Sequence, residues 1–184
     1  MTLLPEHVSP VWYLEGMAEL FGVHRQQPDG KWEFRCMPES PQAYAGFGRI
    51  TLIQQEIAAG RRKTMAEVAA LRPDEFFQRE PYAWSWALCY FLDQHPRTSQ
   101  RFRELGQHRT QREFTPTLQR LFGAEQDLLE TEWRLFVEDL AYGFDLSQWA
   151  LTRGPAVQPT VAEPVRSTIE ADRAWQSSGA RLEA

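Results

Sequence analysis

The chain has 184 residues, enough for one domain or for one domain with part of a second. Its hydrophobic content of 42%, with seven tryptophans and eleven phenylalanines, is ample for a packed core and excludes disorder throughout. Its net charge of −5, with both signs interspersed, excludes the basic face of a nucleic-acid-binding protein.

The cellular location of the protein is predicted from the length of its apolar runs and from its first residues. No apolar run approaches the roughly 18 residues of a membrane span, and residues 1–9 lack the basic and apolar regions of a signal peptide. We therefore expect a cytoplasmic protein without a membrane span. Cys36 and Cys89 are too isolated for a disulfide framework or a cysteine zinc site, so they are predicted to be small buried residues.

A short stub over residues 1–9 is followed by a predicted helix over residues 10–21. Ser9 suits the N-cap, Pro10 suits the first helical position, and Gly22 suits the residue just beyond the helix. Glu15 and Glu19 are one turn apart, so they lie on the same face of this helix.

The next segment predicts a β-hairpin. Residues 28–30, Pro-Asp-Gly, form a strong turn signal between two short extended runs. Apolar residues alternate at Trp32, Phe34 and Cys36, which predicts that one face of the second strand is buried. Such a hairpin can line a cleft or can serve in packing alone.

The chain from the hairpin to residue 143 is predicted to be helical. Arg49 to Ala59 is amphipathic and is ended by Gly60. A capping box at residues 64–67 opens a short helix, and residues 81–94 are apolar nearly all round, which predicts a central buried helix. Further helices or turns are predicted over residues 73–77, 99–109, 115–122 and 124–142.

After Gly143 the composition changes. Three prolines among small and polar residues predict an extended linker over residues 144–166, and residues 167–184 have the pattern of the first strands of a β module. The predicted fold is therefore mainly α: a helical subdomain over residues 10–143 with a small β-hairpin, then a linker and the beginning of a β module.

Metal-binding groups are few. A catalytic zinc usually takes three protein ligands, yet no two of the four histidines are three to five residues apart. His95, just before Pro96 at a helix end, is expected to be solvated. Glu15 and Glu19 are also compatible with two solvated carboxylates on an ordinary surface helix, and one carboxylate does not hold zinc.

A second candidate group is Tyr82. Pro81 fits the first turn of a helix, which places the Tyr82 hydroxyl at the end of a core element. A tyrosine there can donate a hydrogen bond to a developing oxyanion. Equally, Tyr82 can be one more packed aromatic residue in an aromatic-rich helix.

Two segments resemble the gluzincin metallopeptidases, notably the aminopeptidase-N type and the peptidase-MA-like domains. They are W-x-x-E-G-x-A-x-x-F at residues 12–21 and P-Y-x-x-S-x-x-L-x-x-x-L at residues 81–92. With G-R-I-T-L-I at residues 48–53, the whole of residues 10–143 also resembles a subgroup of large bacterial proteins with peptidase-MA-like domains of poorly known function.

The resemblance implies roles for three residues. Glu15 would be the third zinc ligand, Glu19 would accept the N–H of a ligating histidine, and Tyr82 would stabilise the oxyanion of the tetrahedral intermediate. It also implies zinc in a complete domain, and a peptide or protein as the substrate.

The chain departs from the family pattern at one decisive place. H-E-x-x-H, which supplies two ligands and the general base, is absent from the sequence, and only fourteen residues precede Glu15. We therefore expect the C-terminal part of such a domain, inactive as this isolated chain and without tight zinc binding. The alternatives are a non-catalytic helical binding or scaffold module derived from the same fold, and a regulatory partner that completes another chain's site.

Overall fold

The computed structural model describes residues 9–43, 48–107 and 111–153. Within these ranges the chain is mainly helical with one small antiparallel hairpin, as predicted. The helices are α1 (Val11–Gly22), α2 (Arg49–Ala58), α3 (Met65–Ala69), α4 (Glu80–Gln94), α5 (Ser99–Leu105), α6 (Gln111–Phe122), α7 (Gln126–Asp139) and α8 (Leu146–Arg153). The strands are β1 (His24–Gln26) and β2 (Trp32–Phe34), and short 3₁₀ helices occupy Pro73–Phe77 and Gly123–Glu125.

Helix α4 forms the centre of the helical part. Twelve of its fifteen residues are buried, because α1, α2, α3, α5 and α7 all pack against it. Trp84 and Trp86 have no exposed surface, and each such side chain contributes roughly 1.5–3 kcal/mol or more of burial free energy. The predicted central buried helix is confirmed. Among the described residues, no helix combines the length and apolar character needed to cross a membrane.

Helix α1 packs one narrow stripe against α4. Trp12, Gly16 and Leu20 are its buried residues, and their four-residue spacing places them on a single face. The predicted role of Gly22 beyond the helix end is wrong: Gly22 is the last residue of α1, and the extended Val23 follows it as the cap. No left-handed residue is needed there, because the chain leaves the helix in an extended conformation.

The hairpin forms at the predicted turn, with Gly30 at a positive φ of 83°. The predicted buried face is wrong, however, because the Trp32 and Phe34 side chains are 56% and 50% exposed and contact His24 instead. The reason lies in Arg35, whose left-handed φ of 62° breaks the alternation of side chains. Cys36 therefore returns to the core and is buried as predicted, while the two aromatic residues before it face outward.

Helices α2 and α3 begin and end close to their sequence signals. Gly60, at a φ of 73°, terminates α2 as predicted. The capping box of α3 is complete: Thr64 Oγ1 accepts a hydrogen bond from Glu67 N at 3.1 Å, and Glu67 Oε2 accepts one from Thr64 N at 2.7 Å. These local patterns are confirmed.

Helix α8 occupies residues that the sequence places at the beginning of a linker. Leu146 and Trp149 are buried, the Trp149 ring contacts Phe144, and its indole N–H donates to Asp139 Oδ2 at 2.8 Å. These two apolar residues attach the segment to the helical part. The remainder of the predicted linker and the predicted β module, residues 154–184, lie outside the described residues.

Candidate functional site

Gly16 lies at the closest approach of α1 and α4. A Cβ atom added to it would lie 2.4 Å from the carbonyl oxygen of Ser85 and 2.6 Å from Cys89 Sγ, so only glycine fits this crossing. Trp12, one turn earlier in α1, shares a cavity with Leu88, further along α4. Contact between α1 and α4 therefore extends beyond Gly16.

The two predicted site residues flank this crossing. Glu15 immediately precedes Gly16 in α1, and Tyr82 lies three residues, one helical turn, before Ser85 in α4. The structure thus brings together the two helices that carry these residues, although they are far apart in sequence. The glycine of the E-G motif and the serine of the P-Y-x-x-S motif are the residues in contact.

Glu15 and Glu19 differ in their surroundings. Both are partly buried. Glu19 forms an ion pair with Arg49 at the beginning of α2, where both side chains are more than four-fifths buried, and the recorded contacts of Arg49 Nε and Nη2 are with Glu19 Oε2. Within the described ranges Glu15 forms no ion pair. The two carboxylates of the first helix are therefore not equivalent, and Glu19 has a structural contact of its own.

Tyr82 lies in the first turn of α4, next to Pro81, and is half-buried. Its ring packs edge-on against Phe76 of the preceding 3₁₀ helix, with centroids 5.1 Å apart and an interplanar angle of 86°. This packing fixes the ring independently of the hydroxyl. The predicted position at the end of a core helix is the one that the structure shows.

A zinc ion would need more ligands than these helices supply. No group of three or more histidine, cysteine, aspartate or glutamate side chains with metal-binding geometry occurs among the described residues. A single carboxylate at Glu15 does not fit the three-ligand requirement of a catalytic zinc. Any such site would need at least two ligands that the described part of the chain does not provide.

A buried polar cluster that the sequence did not predict lies at the other end of α4. His95 and Glu132 are 2% and 0% exposed, so the expectation of a solvated His95 is wrong. Arg97 forms an ion pair with Glu132 Oε1. His95 Nδ1 accepts a hydrogen bond from Arg97 N at 3.3 Å, which leaves the proton of the neutral imidazole on Nε2.

The remaining atoms of this cluster face each other without a hydrogen bond. His95 Nε2 and Glu132 Oε2 are 3.7 Å apart, beyond hydrogen-bonding distance, and neither has a partner within the described part of the chain. Burial, together with the charge of Arg97, lowers the pKa of His95 to about 4. Burial raises the pKa of Glu132, and the attraction of Arg97 opposes this shift.

One signal in the sequence could have identified Glu132. It lies three residues after Leu129 and four before Phe136, on the apolar face of α7. A carboxylate on such a face must find a buried partner. That partner, Arg97, is supplied by the turn after α4, which no local pattern places beside α7.

The hairpin lines a separate polar cavity of about 370 Å³, together with the end of α4 and residues 143–147. Arg35 Nη1 donates to both oxygens of the buried Asp93 in α4, at 2.9 and 3.0 Å. Arg103 lies 3.4 Å from the same carboxylate. The ion pair of Arg35 with Asp93 therefore holds the hairpin against the end of α4.

Comparison of the chain with protein-family models, with curated protein sequences and with solved structures finds no match.

Proposed function

We propose that the chain contributes the helical part of a gluzincin-type zinc peptidase domain. In this proposal Glu15 supplies one carboxylate ligand, and Tyr82 donates a hydrogen bond to the oxyanion formed during peptide-bond hydrolysis. Two histidine ligands and the general base come from outside the described residues. The substrate class is a peptide or protein.

The observation that carries the proposal is the α1–α4 crossing. Three features coincide there: a glycine that permits contact between the helices, a carboxylate beside that glycine, and a tyrosine one turn from its contact partner. A functional tyrosine and a metal-ligating carboxylate must be held by rigid, closely packed elements if they are to act on one substrate. The packing of Gly16 against Ser85 provides such a support.

Glu19 fits the proposal in a modified form. Its ion pair with Arg49 attaches α1 to α2, so it fixes the orientation of the helix that bears Glu15. A carboxylate offers about four acceptor positions, and Arg49 Nε donates to Oε2. Oε1 is the atom that we propose accepts the N–H of a ligating histidine.

The alternative function is that of a helical binding or scaffold module. One observation favours it: α4 is buried by the chain's own side chains, and Glu19 pairs with Arg49, so the packing of these helices rests on contacts within the chain. Such a module would tolerate replacement of Glu15 and Tyr82 without loss of its binding function.

The test begins with the complete gene product. The proposal requires an H-E-x-x-H helix encoded in frame ahead of Glu15; a gene without one would rule out the peptidase assignment and leave the scaffold function.

In a protein that contains this helix, we expect Glu15→Gln to abolish stoichiometric zinc binding, because one of three ligands is lost. Tyr82→Phe keeps the ring packed on Phe76 and removes the hydroxyl. It should lower kcat by about 10²–10³-fold, the usual effect of one oxyanion donor. Zinc content and peptidase rate are the measurements.

Matched controls are Glu138→Gln, an exposed carboxylate paired with Arg62, and Tyr142→Phe, whose hydroxyl contacts Thr51. Both should retain zinc and activity. Full activity in Tyr82→Phe, or full zinc content in Glu15→Gln, would contradict the assigned roles.

A further inference from the structure

An apolar cavity of about 340 Å³ opens between α1, α3, α4, α6 and α7. Its volume is within the range of about 300–1,000 Å³ that is typical of small-molecule sites. Its apolar wall is formed by large side chains from all five helices, among them Trp12, Met65, Leu88, Leu92, Phe122 and Leu129. Four of these residues (Trp12, Leu88, Leu92 and Leu129) are at most 2% exposed, so the wall is continuous with the core.

Part of the exposed lining of the cavity is made of small residues. Ala66 of α3 and Ala70, the residue just after this helix, line the cavity and are exposed, as are Gln119 and Gln126. Larger side chains at Ala66 and Ala70 would take up part of the cavity.

The cavity has one charged group, the half-buried carboxylate of Glu130 in α7. Both of its oxygens share a single recorded donor among the described residues, the backbone N–H of Met65, at 3.0 and 3.4 Å. A carboxylate can accept about four hydrogen bonds, so Glu130 is under-satisfied. Burial raises the pKa of Glu130 and the charge of Glu67 adds to this shift, while the hydrogen bond from Met65 N and the charge of Arg62 oppose it.

A ligand that satisfies this site needs an apolar body and a compact cation. The apolar body would pack against the aromatic and aliphatic wall. A primary ammonium group would supply up to three hydrogen-bond donors and a positive charge to Glu130. The glutamine side chains of Gln119 and Gln126 add neutral polar groups to the lining.

We propose that this cavity binds a small amphiphilic amine, with its alkyl or aromatic part against Trp12 and Leu129 and its ammonium group at Glu130. The site is separate from the proposed peptidase residues and does not depend on them. Binding can therefore be tested on the chain as it stands.

Three probes with the same tail and different head groups test the proposal: octylamine, octanol and octanoate, each kept below the concentration at which it aggregates. Isothermal titration gives the affinities, and ¹⁹F NMR of the chain labelled with 5-fluorotryptophan gives the location. We expect octylamine to bind about tenfold more tightly than octanol, the order of one charge-assisted hydrogen bond, and octanoate to bind most weakly. The Trp12 signal should shift on binding, and that of the exposed Trp32 on the hairpin should not.

Two variants separate the head-group contact from the cavity. Glu130→Gln keeps an acceptor for Met65 N, so it should preserve the fold and lower octylamine affinity to that of octanol. Ala66→Leu with Ala70→Leu should lower the affinity for octylamine and octanol by tenfold or more. Leucine is a good helix former, so the fold should be retained, which circular dichroism can verify. The matched control, Ala58→Leu, changes an exposed alanine of α2 outside the cavity and should leave all affinities unchanged.

Several results would overturn the proposal. In the titrations, these are the lack of saturable octylamine binding and equal affinity for the three head groups. In the other measurements, they are a ¹⁹F shift at Trp32 with none at Trp12, and unchanged octylamine binding in the double leucine variant.

Discussion

The absence of a side chain at Gly16 determines how closely α1 approaches the central helix α4. Gly16 leaves room for the backbone carbonyl of Ser85, and the nearest atoms around it belong to backbone or to the buried Cys89, which cannot move aside easily. Gly22, in the same helix, has no atom within 4 Å of its added Cβ. Replacement of Gly16 by alanine therefore measures a steric clash, and replacement of Gly22 by alanine measures the effect of alanine on the helix without a clash.

We expect Gly16→Ala to lower the free energy of unfolding by about 1–3 kcal/mol, because overpacking a closely packed contact has a cost of this order. Gly22→Ala should be neutral or stabilising by up to about 1 kcal/mol, because alanine reduces the freedom of the unfolded chain. Urea denaturation of both variants measures the difference. Equal stability of the two variants would show that the α1–α4 contact is looser than described.

Among single residues, the sequence predicted those with a local signature. Cys36 and Cys89 are buried as expected, and Thr64 and Glu67 cap α3 as their spacing indicated. His95 was placed wrongly because its surroundings come from α7, 37 residues further along the chain. Local patterns contain no information about such a partner.

At the scale of elements, the hairpin is held to α4 by Arg35. Its guanidinium contacts both oxygens of Asp93, a carboxylate that is 1% exposed. Arg103 and Gln94 also contact this carboxylate. Because Asp93 is removed from water, each of these contacts replaces hydration that the carboxylate has lost.

Replacement of Arg35 by glutamine should destabilise the chain by about 1–3 kcal/mol, the cost of an under-satisfied buried polar group. Amide hydrogen exchange of Arg25 and Glu33 in the hairpin should become faster, because the hairpin loses its attachment to α4. The control is Lys31→Gln on the same hairpin, which removes an exposed pair with Asp29 and should have little effect. Exchange that is accelerated equally in both variants would contradict this role of Arg35.

The elements themselves were largely predictable, because their periodicity and caps are local. The face of the hairpin was not. Alternation at Trp32, Phe34 and Cys36 predicted one buried side, but a left-handed arginine between the last two reverses the pattern. Nothing in the sequence marks Arg35 as left-handed, since glycine or asparagine is the usual residue in this conformation.

At the scale of the whole molecule, the buried His95 makes stability depend on pH. Its pKa in the folded state is about 4, and in the unfolded chain it should have the ordinary value of about 6.5. Between these values the unfolded chain binds a proton that the folded chain does not, so stability falls as pH decreases. The contribution is complete above about pH 6.5 and is lost by about pH 4.

We therefore expect the difference in unfolding free energy between the native chain and His95→Gln to increase by up to about 3 kcal/mol from pH 4 to pH 6.5. The raised pKa of Glu132 acts in the opposite direction over part of this range. Denaturant titrations at four or five pH values provide the measurement. A flat difference for His95→Gln would contradict the prediction.

The candidate site was predictable only in part. The sequence indicated Glu15, Glu19 and Tyr82 individually, and the structure adds that the helices of Glu15 and Tyr82 cross at Gly16. It also pairs Glu19 with Arg49, a contact between elements 30 residues apart. The zinc ligation of Glu15 and the oxyanion role of Tyr82 are still proposals, because they depend on groups beyond the described residues.

The burial of α4 on every side limits how this chain can be divided. A helix without a solvent face cannot keep its structure with only some of its neighbours, because each missing neighbour would expose a strip of tryptophan or phenylalanine. Shortened versions that omit α1, or that end before α7, should therefore aggregate rather than fold. Expression boundaries and inserted tags belong outside the span from Val11 to Trp149, and internal insertions belong at the exposed hairpin turn around Gly30.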